Sequence, residues 1–219
     1  MKVSPSVLSA DFSHLYDSCA QVVDAGADMI HFDVMDGCFV DNISFGLPVL
    51  ESLPAALPNT VYDVHLMIAH PCRFVKRFVE AGADMITFHI ETEDDILKTI
   101  QEIQNCGAKV GLAIHPDTPV QKCFPYLEYL DLVLVMGVIP GHGGQAFLPK
   151  TLNKLRLLRA ECARREISLD ISVDGGVKLQ QTGPDCAAAG ANVLVAGSAV
   201  FQAEDIPGAI KAFKTLGAF

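Results

Sequence analysis

Charged and histidine side chains interrupt three of the most apolar segments of the sequence. MIHFDVMDG carries His31 and Asp33, VYDVHLMI carries His65, and LDISVDG carries Asp174 before its glycine. Polar or ionised groups are costly to bury without a partner, so these four residues need one another or a ligand. Two imidazoles and two carboxylates form a ligand set that suits Zn²⁺, Mn²⁺, Fe²⁺ or Co²⁺. The alternative is that each is a separate core residue satisfied by its own hydrogen bonds.

Glycine-rich turns are the second group of residues with a chemical implication. They are PGHGGQ at 140–145, DGG at 174–176 and AGS at 196–198. Glycine lets backbone N–H groups come close to a ligand, and a helix that follows such a turn adds the positive end of its dipole. Each turn alone could be no more than a tight bend. Three of them at one end of a fold favour a phosphate-binding site.

The elements that would position these residues alternate along the chain. Eight short apolar runs are predicted to be strands, at residues 2–8, 28–35, 61–68, 84–90, 109–115, 130–138, 169–175 and 192–198. Apolar residues at three- and four-residue steps predict the clearest helices, at 13–26, 72–82, 93–107 and 149–166. Between the last two strands, Gly183 and Pro184 interrupt the helical pattern, so two short turns are expected there instead of one helix.

This alternation predicts the fold. Strands rich in Val, Ile and Leu, with few alternating polar residues, are typical of parallel strands that are covered on both faces. Eight β/α units without a linker predict a single (β/α)8 TIM barrel that spans residues 1–219. A doubly wound open sheet is the second possibility, but the GxGxxG turn expected after its first strand is absent from the sequence.

A barrel would gather the polar residues at the C-terminal ends of its strands, where the active sites of this fold lie. His31 and Asp33 are two residues apart, so their side chains project to the same side of the second strand. The other two candidate ligands lie at or near the ends of the third and seventh strands, so all four would converge. His89 and His115 end the fourth and fifth strands, where each could face the mouth or only bond to a loop.

The composition limits the partners and the compartment. The chain has 219 residues, of which 50% are hydrophobic, with a net charge of −10 and a pI near 5.0. Without a Lys/Arg cluster or a long apolar run, neither nucleic acid nor a membrane is an expected partner. Seven cysteines are scattered singly, which predicts buried thiols in a reducing compartment. Because the N-terminus lacks a signal-peptide pattern, we expect a cytoplasmic protein.

Several segments together resemble the ribulose-phosphate 3-epimerase family. They occur in the family's order and are SPSVLSADF (4–12), IHFDVMDGCFVDN (30–42), DVHLMI (63–68), PGHGGQAF (140–147), VDGG (173–176) and VAGSAVF (195–201). PSxLSADF with HxDxMDG is a specific combination, and the segments span nearly the whole chain. The family fold is the (β/α)8 barrel, the same fold that the periodicity predicts.

The resemblance implies roles for individual residues. His31, Asp33, His65 and Asp174 match the family's ligands for one divalent metal cation, and Asp33 and Asp174 also match its two proton-transfer carboxylates. The positions that match contacts to the sugar phosphate are Ser6, His65, Gly141, His142, Gly143, Gly144, Asp174, Gly175, Gly176, Gly197 and Ser198. No nucleotide cofactor is implied. Relatives commonly form homodimers or larger rings, which implies a homo-oligomer.

The implied reaction interconverts D-ribulose 5-phosphate and D-xylulose 5-phosphate in the pentose phosphate pathway. The C3 proton lies next to the C2 ketone, so it can leave if a metal ion stabilises the ene-diolate. Asp33 would take this proton from one face of the sugar, and Asp174 would return one to the other face. Each positioned acid or base typically contributes ~10²–10⁴-fold to the rate. The enzyme would therefore be an isomerase that acts on carbohydrates.

The sequence departs from the family around the expected substrate. Gly137 stands where relatives usually have Ser or Thr, Ile139 where they have Asn, Asp or Glu, and His142 where they have Phe. These differences keep open a hexulose phosphate such as D-allulose 6-phosphate as the substrate. A non-catalytic phosphate-binding paralogue and a metal-assisted hydrolase are further alternatives. The ligand types suit several divalent ions, so the sequence does not identify which metal is bound.

Overall fold

Eight parallel strands form a barrel in the computed structural model, which describes residues 1–217. The strands are β1 (Lys2–Pro5), β2 (Ile30–Met35), β3 (Tyr62–Met67), β4 (Met85–His89), β5 (Lys109–Ile114), β6 (Leu132–Met136), β7 (Asp170–Asp174) and β8 (Val193–Ala196). They pair in the order β1-β8-β7-β6-β5-β4-β3-β2, and a parallel bridge between Ser6 and His31 joins the two edges. The predicted TIM-barrel fold is confirmed. Residues 218 and 219 of the predicted domain lie outside the described residues.

Each strand is buried on both sides because its side chains alternate between the barrel interior and the surrounding helices. On β2, Phe32 and Val34 belong to the core between strands and helices, whereas His31 and Asp33 point the other way. A smaller apolar cluster fills the interior and consists of Met29, Met85, Ala113, Leu132, Leu134, Met136, Val193 and Val195. The strands therefore appear in the sequence as continuous apolar runs, without alternation of apolar and polar residues.

Helices cover the outside of the barrel. They are α1 (Leu15–Asp24), α2 (Leu47–Ser52), α3 (Val75–Glu80), α4 (Ile96–Asn105), α5 (Lys150–Arg165), α6 (Thr182–Ala188), α7 (Ser198–Phe201) and α8 (Ile206–Thr215). The carboxylates of Asp95 and Asp205 cap α4 and α8 by accepting backbone N–H groups of the first turn. Across residues 1–217, no helix has both the length and the apolar character that crossing a bilayer requires.

The connection between β7 and β8 differs from the prediction. The expected pair of short turns is wrong, because a turn at residues 179–181 leads into one helix, α6. Gly183 and Pro184 lie in the first turn of that helix instead of interrupting it. Proline is tolerated there because the N–H that it lacks would have no partner within the helix.

The register of β2 and β3 pairs polar inner residues with one another. Between β2 and β3, His31 is paired with Asp63, and Asp33 is paired with His65. Asp174 is the last residue of β7. Asp33 and His65 lie in the C-terminal halves of β2 and β3, and Asp174 ends β7, whereas His31 and Asp63 are the second residues of their strands. Asp33, His65 and Asp174 therefore face the mouth of the barrel, and His31 and Asp63 lie beside them, nearer its interior.

Candidate active site

Four acidic and histidine residues come together at the mouth of the barrel. His31, Asp33, His65 and Asp174 each offer one ligand atom, and these atoms all lie within 4.8 Å of one another. His65 Nδ1 is 3.0 Å from Asp33 Oδ1 and 3.9 Å from Asp174 Oδ2. The four residues that the sequence singles out thus form one cluster, close enough to bind a single cation.

His31 presents one ring nitrogen to this cluster and anchors the other. Its Nδ1 donates a hydrogen bond of 2.7 Å to Asp63 Oδ2. Its buried Nε2 lies 3.2 Å from Asp33 Oδ1 and has no hydrogen-bond partner among residues 1–217. A buried polar atom without a partner needs a ligand, and a histidine whose second nitrogen bonds to a carboxylate is the usual arrangement at metal sites. The residues present therefore fit a divalent cation.

His65 contacts His89 on β4, which in turn contacts Glu91 beyond the end of that strand. His65 Nε2 lies 2.9 Å from His89 Nε2, and His89 Nδ1 lies 3.1 Å from Glu91 Oε2. Both imidazoles are fully buried. The backbone N–H of His115 donates a hydrogen bond of 3.0 Å to Glu91 Oε1. Of the two histidines whose placement the sequence left open, His89 contacts the site and His115 reaches it only through its backbone.

The surroundings shift the pKa values of the two carboxylates in opposite directions. Burial opposes the ionisation of Asp33, but the imidazoles of His31 and His65 outweigh it and hold the pKa of this carboxyl well below its usual range. Burial, followed by the negative charge of Asp33, raises the pKa of Asp174 to about 6. Two neighbouring carboxylates with separated pKa values can act as a base and an acid.

The buried histidines also differ in their pKa. Burial would lower the pKa of His31, but the carboxylates of Asp33 and Asp63 outweigh burial and raise it well above its usual value. Burial lowers the pKa of His89 to about 4, although Glu91 opposes this shift. A cation that binds His31 must displace its proton, so metal affinity should fall as the pH falls.

A pocket opens onto the cluster among the loops that follow β1, β6, β7 and β8. Its lining includes the predicted substrate positions Ser6, Gly141, His142, Gly143, Gly144, Asp174, Gly175, Gly176, Gly197 and Ser198. The remaining predicted position, His65, is fully buried. Ser6 Oγ donates a hydrogen bond of 2.5 Å to Asp33 Oδ2, which links the first strand to the carboxylate layer.

Three methionines also line the pocket, where β2, β3 and β6 end. Met35, Met67 and Met136 are almost completely buried, and each contributes a side chain without a strong hydrogen-bonding group. Thioether side chains are polarizable and fill irregular spaces closely. This part of the pocket therefore excludes water from one side of the carboxylates.

Backbone conformation and space require glycine in two of the loops. Gly175 and Gly176 have φ angles of 96° and 69°, which favour glycine. A Cβ on Gly176 would lie 2.7 Å from the backbone of Phe147. A Cβ on Gly197 would collide with Ser9 Oγ unless that hydroxyl turned away. Without side chains, these glycines allow a ligand to approach the backbone at the pocket wall.

The loop after β6 carries the positions that depart from the family pattern. Gln145 Nε2 donates hydrogen bonds of 2.7 Å to the carbonyl of Ile139 and 2.8 Å to that of His142, which closes the loop on itself. Ile139 and His142 line the pocket. Gly137 is not part of this lining and packs against the loop after β7, where a Cβ would collide with the carbonyl oxygen of Gly175. Two of the three departures therefore face the space where substrate would lie.

Asp36, the second aspartate of HFDVMDG, is not part of the pocket. Its carboxylate accepts hydrogen bonds of 2.8 Å from the backbone N–H groups of Cys38, Phe39 and Ala69. These bonds hold the turn after β2 against the turn after β3. Asp36 is therefore a structural residue of the barrel mouth.

Comparison with known proteins decides the family. The ribulose-phosphate 3-epimerase family profile matches residues 2–201. The chain belongs to this family. The ribulose-phosphate 3-epimerase of Escherichia coli (strain K12) is 44% identical over 203 residues, covering 93% of this chain and 90% of that protein. That of Eremothecium gossypii is 44% identical over 213 residues, covering 93% and 87%, and that of Mycobacterium tuberculosis (strain H37Rv) is 42% identical over 212 residues, covering 97% and 91%. The predicted family, and with it the prediction of an isomerase, is confirmed.

Solved structures of more distant proteins share the fold. The 3-hexulose-6-phosphate synthase of Salmonella typhimurium superposes with a TM-score of 0.71 at 20% identity, covering 100% of this chain and 99% of that one. The orotidine 5'-phosphate decarboxylase of Pyrococcus horikoshii superposes with a TM-score of 0.68 at 14% identity, with complete coverage of both chains. At such identities the likeness concerns the barrel alone.

Proposed function

We propose that this chain inverts C3 of D-ribulose 5-phosphate to give D-xylulose 5-phosphate. The observation that carries the proposal is the convergence of Asp33 and Asp174 on one pocket whose wall consists of glycine-rich loops. The two carboxylates come from β2 and β7, which are separated by β1 and β8, so they approach a bound sugar from different sides. Relatives that bear the name ribulose-phosphate 3-epimerase support the choice of sugar.

Asp33 and Asp174 are the proposed proton carriers. The pKa of Asp33 lies well below its usual range, so its carboxylate is ionised at neutral pH and can accept the C3 proton. The raised pKa of Asp174 suits a group that holds a proton and delivers it to the opposite face. The hydrogen bond from Ser6 keeps Oδ2 of Asp33 in place. The other oxygen, Oδ1, faces the imidazoles of His31 and His65.

His31, Asp33, His65 and Asp174 are the proposed ligands of one divalent cation. Their donor set suits Zn²⁺, Mn²⁺, Fe²⁺ or Co²⁺, and the unpartnered Nε2 of His31 supports the assignment. When bound, the cation supplies Lewis-acid stabilisation of the negative charge that develops on the substrate oxygens beside C3. Because proton transfer requires no redox or energy-carrying group, no nucleotide cofactor is proposed.

The glycine-rich loops are the proposed phosphate site. Gly141, Gly143 and Gly144 follow β6, Gly175 and Gly176 follow β7, and Gly197 with Ser198 follows β8. Backbone N–H groups in such loops can bind phosphate oxygens at close range. Binding the phosphate here would hold C3 near the carboxylates at the other side of the pocket, with the methionines excluding water.

We further propose a single catalytic domain over residues 1–219 that acts in the cytoplasm as a homo-oligomer. Continuous pairing of all eight strands supports the single domain. The scattered cysteines, all of them free, support a reducing compartment. A homo-oligomer follows from the resemblance to the family, and sedimentation of the purified chain tests it.

A hexulose phosphate such as D-allulose 6-phosphate is the second candidate substrate. The observation that favours it is the exposure of Ile139 and His142 to the pocket, at positions where the family usually has other residues. A changed pocket wall can accept an additional hydroxymethylene group without altering the carboxylates. The chemistry at C3 would be the same.

Deuterium exchange tests the proposal directly. The metal-loaded protein is incubated in D₂O with D-ribulose 5-phosphate and, separately, with D-allulose 6-phosphate, with and without a chelator. We expect NMR to show deuterium at C3 and formation of the epimer from the pentose phosphate, both abolished by the chelator. Reaction of the hexulose phosphate alone would assign the second candidate.

Three further outcomes contradict the proposal or its metal requirement. If neither sugar exchanges with Zn²⁺, Mn²⁺, Fe²⁺ or Co²⁺ supplied, the chain is a non-catalytic phosphate-binding paralogue or acts on another substrate. Release of inorganic phosphate or of a cleaved sugar would instead indicate a metal-assisted hydrolase. Exchange that persists undiminished in the chelated protein would show that the carboxylates act without a metal.

A further inference from the structure

We propose that His89, with Glu91 behind it, is a positioning residue that fixes the ring tautomer and orientation of His65. The inference rests on the proposed metal site, because it concerns the nitrogen that His65 offers to a cation. His89 is the last residue of β4 and is fully buried. Its Nε2 faces Nε2 of His65 at 2.9 Å, and the rings lie 28° from parallel with centroids 5.0 Å apart.

A hydrogen bond between two imidazole nitrogens requires a proton on one of them and a lone pair on the other. His65 Nδ1 faces Asp33 and Asp174, so it is the nitrogen that would bind a cation. A neutral His65 that offers a lone pair at Nδ1 carries its proton on Nε2. It therefore donates to His89 Nε2, and a neutral His89 must carry its own proton on Nδ1.

Glu91 selects this direction of donation. His89 Nδ1 lies 3.1 Å from Glu91 Oε2, and a carboxylate accepts a proton donor but repels a lone pair at that distance. In the reverse arrangement, a neutral His89 would direct its Nδ1 lone pair at the carboxylate, and a neutral His65 would hold its proton on Nδ1, where a cation should bind. The backbone N–H of His115 donates to Glu91 Oε1 at 3.0 Å and keeps the carboxylate in place.

The two histidines of the site are thus oriented in different ways. His31 donates directly to a carboxylate, Asp63. His65 reaches its carboxylate, Glu91, through an intervening imidazole. In the metal-loaded protein, both arrangements leave one imidazole lone pair free for a cation that Asp33 also binds, which is the requirement for a shared cation.

The first test observes the tautomers in the native protein loaded with Zn²⁺. Long-range ¹H–¹⁵N correlation spectra of ¹⁵N-histidine-labelled protein show which ring nitrogen carries the proton. We expect His65 to be protonated on Nε2 and His89 on Nδ1. A proton on Nε2 of His89 in the metal-loaded protein would overturn the inference, whatever the activity of the enzyme.

The second test compares variants of His89 for Zn²⁺ affinity, by competition with a chromogenic chelator, and for kcat/KM. His89→Leu removes the acceptor and should weaken Zn²⁺ binding ~10–100-fold. His89→Gln can still accept from His65 through its amide oxygen and should restore most of the affinity. Phe88→Leu is the matched control, since Phe88 is equally buried on the same strand but belongs to the core outside the barrel. It should leave the affinity unchanged.

The outcomes separate this inference from the proposed function. If the native protein binds Zn²⁺ and epimerises the sugar, but His89→Leu and His89→Gln bind Zn²⁺ as tightly as the native protein, only the positioning role is wrong. If His89→Leu and Phe88→Leu weaken binding equally, the effect is a general loosening of β4, which also contradicts the role. If the native protein binds no divalent cation, both proposals are wrong. A His89→Leu chain that does not fold leaves the decision to the tautomer measurement.

Discussion

Asp63 accepts a hydrogen bond of 2.7 Å from Nδ1 of His31, and this bond determines which nitrogen of the ring faces the barrel mouth. The other nitrogen, Nε2, points toward Asp33 at 3.2 Å. His31 and Asp63 are 0% and 1% exposed, so water cannot replace the bond between them. Asp63 therefore acts on the site through His31, although it is not one of the proposed ligands.

Substituting Asp63 should weaken the metal site without removing a ligand. Asp63→Asn keeps an oxygen that can accept from His31 but removes the charge that makes the imidazole a stronger ligand, so we expect Zn²⁺ affinity to fall ~10-fold. Competition with a chelator measures this. Asp84→Asn is the control, because the Asp84 carboxylate accepts from the backbone N–H of Tyr62, the first residue of β3, and not from a histidine of the site. Equal affinities in the two variants would contradict the role of Asp63.

Replacing one carboxylate at a time should separate proton removal from epimerisation. In Asp174→Asn, Asp33 can still remove the C3 proton of D-ribulose 5-phosphate and return deuterium to the same face, so the sugar becomes labelled but is not inverted. In Asp33→Asn, D-xylulose 5-phosphate should exchange and D-ribulose 5-phosphate should not. Epimerisation should fall ~10²–10⁴-fold in each variant. NMR in D₂O with each sugar as the starting material measures both effects.

The metal content of both variants serves as the control for this experiment, because an asparagine oxygen can still contact a cation. A variant that has lost its metal would lose exchange with both sugars, so it would not show which carboxylate serves which face of the sugar. If each metal-loaded variant labels both sugars, one residue serves both faces, and the assignment of Asp33 and Asp174 to opposite faces is wrong.

The sequence predicted the barrel well because its strands are buried on both sides. Each of the eight observed strands lies within a predicted run. A short apolar segment bounded by polar turns is too short for a typical helix and therefore forms a buried strand in an α/β chain. The predicted runs are longer than the observed strands where a buried turn after the strand continues the apolar pattern. After β1, for example, Val7–Ser9 form a 3₁₀ turn, although Val7 is as buried as the strand residues.

The sequence predicted which residues gather at the mouth but not how they bond. His31, Asp33, His65 and Asp174 follow from strand position alone. The contact of His65 with His89, by contrast, depends on ring orientations across two strands, which no spacing in the sequence reveals. Asp63 lies two residues before His65 on β3, so the sequence places both side chains on the same side of the strand. Only the pairing of β3 with β2 shows that Asp63 lies beside His31.

The proposed phosphate site should be sensitive to a single methyl group. Gly176→Ala forces an alanine to adopt a φ of 69° and brings its Cβ to 2.7 Å from the backbone of Phe147, so the loop after β7 must shift. We expect KM for D-ribulose 5-phosphate to rise by roughly 10-fold or more, since ~1.4 kcal/mol of lost binding is tenfold. Steady-state kinetics measure this change.

Gly26→Ala is the matched control for the glycine experiment. Gly26 also has a positive φ, 89°, but a Cβ there meets nothing within 4 Å, and the residue lies between α1 and β2, away from the pocket. This variant should lose on the order of 1 kcal/mol of stability from backbone strain and keep its KM. A KM that is unchanged in Gly176→Ala would exclude this loop from the phosphate site.

His89 should make the stability of the metal-depleted protein depend on pH. Burial lowers the pKa of His89 from 6.5 to about 4, so between these values the unfolded chain binds more protons at this residue than the folded chain does. The free energy of unfolding therefore falls as the pH falls through this window, by an amount on the order of 3 kcal/mol, and the contribution is fully present above pH 6.5. Urea unfolding across the window should show a smaller decline in the free energy of unfolding for His89→Gln than for the native chain.

Phe88→Leu is the control, because it removes no titrating group. It should lower stability by roughly 1–2 kcal/mol at every pH and keep the native dependence on pH. Equal slopes in all three proteins would mean that His89 becomes protonated as readily in the fold as in the unfolded chain.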